Sequence, residues 1–137
     1  MDLNDLAPSS DTAVLTLRHP TDGSVLMNDD GTPMTITLMG SDSEPYQKSQ
    51  RSATNRRLAQ TGKRGGQSKL TAEELLADNI EALTAVTKSW NVTLDKAKPE
   101  CEAPVVRQTY KKFIWLREQV DDFVGDRANF VKDSAAK

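Results

Sequence analysis

His19 and Cys101 are the side chains of this sequence best suited to proton transfer or nucleophilic attack, and each is the single residue of its type in 137. One histidine and one cysteine cannot supply a four-ligand zinc site, and a lone cysteine cannot close an internal disulfide. His19 precedes Pro20 with no cysteine or serine beside it to activate, so it reads as a residue closing a strand against a turn. Cys101 reads as a buried or incidental thiol. The acidic doublets Asp29-Asp30 and Asp121-Asp122 could meet a divalent ion, but helical neighbours point in different directions and neither doublet has the spacing of a calcium loop. Gly62-Lys-Arg-Gly-Gly-Gln-Ser-Lys69 resembles a phosphate loop only in composition. It lacks G-x-x-x-x-G-K-[ST] and the strand that should precede it, and it reads as a solvated linker. No catalytic residue, metal ligand or cofactor site is expected, and the chain is expected not to be an enzyme.

The residues left to carry function are those that bind. Residues 1–44 hold eight acids and one base, Arg18, whereas residues 45–72 carry seven bases and no acid. Residues 73–137 return to near balance, with twelve acids and ten bases. A net charge of -2 therefore conceals a local dipole. Lys48, Arg51, Arg56, Arg57, Lys63, Arg64 and Lys69 could neutralise phosphates with a strong salt dependence. Tyr46 is the only aromatic residue of that segment, so no stacking array for single strands is present. Pairing with the chain's own acidic N-terminal arm, or with an acidic partner protein, is the favoured reading over nucleic acid.

A second binding signal lies near the C-terminus. Tyr110, Phe113, Leu116, Val120, Phe123 and Val124 recur at helical spacing and form an apolar stripe that must face a core or a partner. Arg117 reaches Asp121 at i,i+4. Glu118 over Asp122 and Asp122 over Asp126 are like-charge pairs, each costing about 0.2–0.5 kcal/mol unless something cationic sits opposite. Gly125 either ends the helix or admits another backbone. Trp90 and Trp115 combine large apolar area with one polar group and read as core or interface anchors.

These residues must be positioned by elements the pattern also predicts. Residues 1–12 form a polar arm without period. Residues 13–19 alternate, Val25-Leu-Met27 is a short apolar piece between turns ending in Asp-Gly, and Met34-Thr-Ile-Thr-Leu38 alternates again. Together they predict a β-hairpin or meander over 13–39. Capping residues before Pro45 predict a basic helix over 42–59, followed by a basic loop over 60–69. Thr71 and Glu74 make a T-x-x-E capping box, with Leu70 and Leu75 as a hydrophobic staple, and Leu76, Ile80, Leu83, Val86 or Thr87, and Trp90 predict a helix over 71–90. A polar connection leads to C-terminal helices over 104–131 and a tail over 132–137. The fold class is α+β, with the hairpin packed on three to four helices in one domain over 13–131. Neither an apolar run of 18 residues nor a secretory leader pattern is present, so a cytoplasmic protein without a membrane span is expected, and Asn91-Val-Thr93 is a glycosylation pattern without a compartment to use it.

The chain resembles the small tail assembly chaperones of long-tailed, siphovirus-type bacteriophages. The resemblance is carried by the two-strand start, Asp42-Ser-Glu-Pro-Tyr46 leading to Gln50-Arg51 and Asn55-Arg-Arg57, and Leu70-Thr-Ala-Glu-Glu-Leu75. It continues through the helix ending at Trp90 and Arg117-Glu-Gln-Val-Asp121, Phe123 and Asp126-Arg-Ala-Asn-Phe130, in order over roughly residues 14–131. One departure is Phe113-Ile-Trp115, where the family pattern places a proline to separate two helices. The resemblance implies a non-enzymatic protein of the host cytoplasm that coats the tape-measure protein, a long and largely helical polypeptide, and recruits tail-tube subunits around it. Tyr46, Trp90, Trp115, Phe123 and Phe130 are then candidate anchors. Arg51, Arg56, Arg57, Asp121, Asp122 and Asp126 would set register and release, with head-to-tail self-association between the oppositely charged regions. A structural virion component, such as a head-tail connector or capsid-associated protein, is the alternative, and a nucleic-acid-binding regulator the third.

Overall fold

The alternating segments near the N-terminus pair as expected. In the computed structural model, which describes residues 2–3, 12–63 and 71–130 (at 60–63 the backbone alone), strand β1 (Ala13–Thr16) runs antiparallel to β2 (Thr35–Leu38), with Ala13 opposite Leu38 and Thr16 opposite Thr35. The Thr-Ile-Thr-Leu alternation of β2 drives Ile36 and Leu38 wholly into the interior. Val25-Leu-Met27 does not add a strand. Leu26 instead bridges the two strands' continuation, donating its N–H to the Leu17 carbonyl and accepting from the Met34 N–H. Gly23 and Gly31 take φ values of 75° and 87° at the two turns, where Asp22 and Asp30 accept from the backbone two residues on.

The third strand comes from a segment whose pattern predicts helix. Helix α1 (Glu44–Lys63) runs past the expected end at 59, and helix α2 (Ala72–Val86) begins at the capping box, where the Thr71 hydroxyl accepts from the Glu74 N–H at 3.1 Å. α2 stops at Val86, not at Trp90. Thr87–Asn91 is strand β3, antiparallel to β2 with Ile36 opposite Trp90, so the sheet order is β1-β2-β3. Trp90 falls four residues after Val86 and fits the helical period by coincidence of spacing. The β-branched and aromatic residues Thr87, Trp90 and Val92 gain more as a strand on β2, whose second edge is otherwise open. The basic loop at 60–69 is shortened by the same comparison: 60–63 is the last turn of α1, while 64–70, including most of the glycine-rich segment and the Leu70 half of the staple, lies outside the described residues, as do 4–11 and 131–137.

The C-terminal stripe is not on one helix. α3 (Ala103–Lys112) ends and α4 (Ile114–Gly125) begins at Phe113, whose backbone is extended at φ -106°, ψ 94°. No proline is needed for the break. The Phe113 N–H still bonds the Thr109 carbonyl, its carbonyl accepts from the Arg117 N–H, and the Arg117 guanidinium caps the Tyr110 carbonyl at 3.0 Å. Gly125 ends α4 with open space around it, and a 3-10 turn at Arg127–Asn129 follows.

The interior lies between one face of the sheet and the inner faces of α2, α3 and α4. Leu17, Ile36, Leu38, Leu83, Val86, Val106, Tyr110, Val120 and Val124 are its most buried side chains. Tyr110 is fully enclosed. Its hydroxyl meets the Thr87 hydroxyl at 2.6 Å, and burial pushes its pKa up despite that bond. A second, polar joint ties the turn region to β3: the amide of buried Asn28 donates to the Asn91 carbonyl at 3.2 Å and its oxygen accepts from Thr93 at 2.6 Å. Asn91 itself donates to Thr32, so the glycosylation pattern is occupied by structural bonds.

Candidate functional site

The residues expected to bind partners separate into three groups. The first is the basic face of α1. Arg51 pairs with Glu44 of its own helix at 2.5 Å, and Arg56 and Arg57 grip the two carboxylate oxygens of Asp78 on α2, each at 2.5 Å. The acid they find is therefore on the neighbouring helix. The Asp78 side chain is only 11% exposed. Burial pushes its carboxyl up, but the bonds from the two guanidiniums outweigh this and hold it below the usual carboxylate range. α1 needs this clamp, since Ala53 is its only apolar residue deep in the interior and Leu58 is exposed. Tyr46 adds a half-buried contact to the core from the first turns.

The second group is aromatic. Trp90 is half-buried on β3, with its indole N–H on the Pro99 carbonyl at 2.9 Å. Trp115 packs beside Phe113 at the α3–α4 break, ring centroids 6.1 Å apart. Phe130 is an interior residue. It lies over Gly40, where an added Cβ would stand 2.8 Å from the ring, and it meets Phe123 edge-on with centroids 5.5 Å apart.

The third group gathers on α4. Asp121 accepts from Asn79 at 3.2 Å, and Asp126 caps the 3-10 turn through the Ala128 N–H at 3.1 Å. Asp122, Phe123 and Asp126 line a groove of about 460 Å³ against Leu15, Thr16 and Arg18 of the β1 side. No ion pair reaches Glu118, Asp122 or Asp126 among the described residues.

A fourth surface carries none of the expected site residues. Between α2 and α3 runs a mostly apolar groove of about 330 Å³, floored by Leu76, Ala77 and Ile80. Its rim is charged in both signs: Glu73 and Glu81 on α2, Arg107 and Lys111 on α3, with Glu81 and Arg107 joined across it. Leu76 is 41% exposed and Leu75 51%, so the capping-box helix presents two leucines outward. Adjacent leucines stand about 100° apart around a helix. They cannot both follow a stripe set by Ile80 and Leu83. Leu76, on the stripe with Ile80, was the sequence signal for this groove, and Leu75 stands outside it. Arg107 and Lys111 gave no such signal, because only the packing of α3 on α2 brings them there.

The residues suited to chemistry stay apart. His19 accepts from the Thr21 N–H at 3.1 Å at the turn, Asp30 pairs with Lys98 at 2.5 Å, and Cys101 is half-buried, with burial pushing its thiol pKa up. Among the described residues no three histidine, cysteine or acidic side chains form a metal-holding group, and no helix is long and apolar enough to cross a membrane.

Comparisons with protein-family models, with curated proteins and with solved structures find no match to this chain.

Proposed function

We propose that this protein is a non-enzymatic tail assembly chaperone of long-tailed bacteriophages, which holds the tape-measure protein in the host cytoplasm while tail-tube subunits assemble around it. The observation that carries the reading is the α2–α3 groove. Its apolar floor of Leu76, Ala77 and Ile80, with acids along one wall and bases along the other, suits an amphipathic helix laid lengthwise. A long, largely helical client offers many such stripes in succession. Binding in a shallow groove beside exposed leucines is reversible, as a chaperone requires, because each site buries little area and the rim pairs remain open to solvent. The in-chain pairing of Arg51, Arg56 and Arg57 favours this reading over nucleic-acid binding, since guanidiniums engaged with Glu44 and Asp78 are less available to phosphates.

The test is co-expression of the tagged chain with the tail-cluster proteins of its phage, followed by capture. A soluble complex with the tape-measure protein is expected, lost in Leu76→Asp while the melting temperature is retained. Recovery of the protein as a stoichiometric part of purified virions would replace the chaperone with a structural component. Co-purifying nucleic acid that is released by salt, and by Arg56→Ala with Arg57→Ala, would replace it with the regulator.

A further inference from the structure

β1 is an edge strand, bonded to β2 on one side only. The Leu17 N–H bonds the Met34 carbonyl, so along β1 the backbone groups of Ala13, Leu15 and Leu17 face β2, and those of Val14, Thr16 and Arg18 face outward. At Arg18 that outward edge is already used. The side-chain amide of Gln119 on α4 accepts from the Arg18 N–H at 3.0 Å and donates to the Arg18 carbonyl at 2.7 Å, the two bonds a neighbouring strand would make. The edge at Val14 and Thr16 has no such partner among the described residues, and the α4 groove opens beside it.

We propose that this edge is a docking site for an extended segment of a partner protein that carries lysine or arginine at two alternate positions. Its backbone would add a fourth strand on Val14 and Thr16, continuing the line that Gln119 begins. Its helix-facing side chains would lie over Leu15 and Phe123 and between Asp122 and Asp126. The spacing is comparable: Asp126, the first residue past α4 and also the cap of the 3-10 turn, follows Asp122 by about one turn, a rise of about 5.4 Å, and alternate side chains of a strand are about 6.6 Å apart. The charge matches as well. Glu118, Asp122 and Asp126 are like charges with no ion pair among the described residues, and Arg18, which lines the same groove, gives its guanidinium to the Gly23 carbonyl at 3.1 Å. This surface is separate from the helix groove on α2 and α3, and it stands or falls independently of the chaperone reading.

The probe is the capped peptide Thr-Lys-Val-Lys-Thr-Val, titrated into the full chain with amide exchange read by NMR. A second peptide of the same composition, Thr-Lys-Lys-Val-Thr-Val, puts its lysines on opposite faces. The first should slow exchange at the Val14 and Thr16 amides about tenfold at saturation and bind at least about fivefold more tightly than the second. Asp122→Asn with Asp126→Asn should erase that preference. Thr16→Pro should abolish binding, and an edge position tolerates proline because its N–H bonds nothing inside the sheet. If Thr16→Pro does not fold, N-methylation of the peptide's alternate amides removes the same bonds with the protein unchanged. Equal binding of the two peptides, unchanged exchange at Val14 and Thr16, or full binding by the N-methylated peptide would overturn the proposal. So would a dimer, seen in sedimentation, that the peptide cannot displace from the edge, because a second copy would then be the occupant.

Discussion

Helix α1 and the sheet with α2, α3 and α4 are held by different forces. The sheet region encloses Ile36, Leu38, Tyr110, Val120 and Val124 with almost no exposure, so its stability is apolar burial and close packing. α1 contributes Ala53 and part of Tyr46 to the interior and is otherwise held by two guanidiniums closing on one carboxylate. Apolar burial has no titrating group, whereas the Arg56 and Arg57 bonds to Asp78 need its carboxylate ionised and are lost as pH falls. The sheet with α2, α3 and α4 is therefore the scaffold, and α1 is the element expected to loosen first when Asp78 is neutralised.

The largest effect should come from the scaffold. Tyr110→Ala removes an enclosed ring and its bond to Thr87, and should cost about 3–5 kcal/mol in urea unfolding, with all elements lost together. Gly40→Ala places a methyl group against the Phe130 ring, and should cost about 1–3 kcal/mol by the same measurement. On the other side of the comparison, Asp78→Asn should cost about 1.5 kcal/mol, visible as faster amide exchange in α1 while α3 and α4 keep their protection. Cooperative loss of the whole fold in that variant would show that α1 is part of the scaffold.

Acid should act on the same joint. Because the Asp78 carboxyl is held down by Arg56 and Arg57 against the cost of burial, its contribution is complete above the ordinary carboxylate pKa of about 4 and disappears as pH falls below it. Protection factors in α1, taken relative to the intrinsic exchange rate at each pH, should therefore fall below that pH before near-UV circular dichroism of the sheet region changes. Arg51→Ala, which breaks an exposed pair within one helix, should change stability by less than about 1 kcal/mol.

Much of the scaffold was legible because local and global preferences agree there. The alternation at 13–16 and 35–38 needs two strands to bury one face, and Thr71 with Glu74 marks the start of α2 whatever packs against it. Trp90 shows where local reading fails: its spacing serves a helix, and its strand conformation is decided by the open edge of β2 far away in sequence. The binding residues were harder to read. Asp122, Phe123 and Asp126 were marked by their repulsion and their apolar neighbour, but the wall opposite them comes from β1, about a hundred positions earlier, as does the Arg18 backbone that Gln119 holds.

What the sequence determined by itself is the set of short-range facts: which segments have a face to bury, where helices start, and that like charges crowd on one turn of α4 after another. These follow from periodicity and neighbouring side chains, and packing overrode them where a distant surface offered more, as at Thr87–Asn91 on β2. What the tertiary structure decided is which acid takes Arg56 and Arg57, which strand completes the sheet, and which grooves remain open. Those outcomes depend on surfaces brought together from distant positions, where the energy of an interaction is fixed by burial and geometry that no single segment contains.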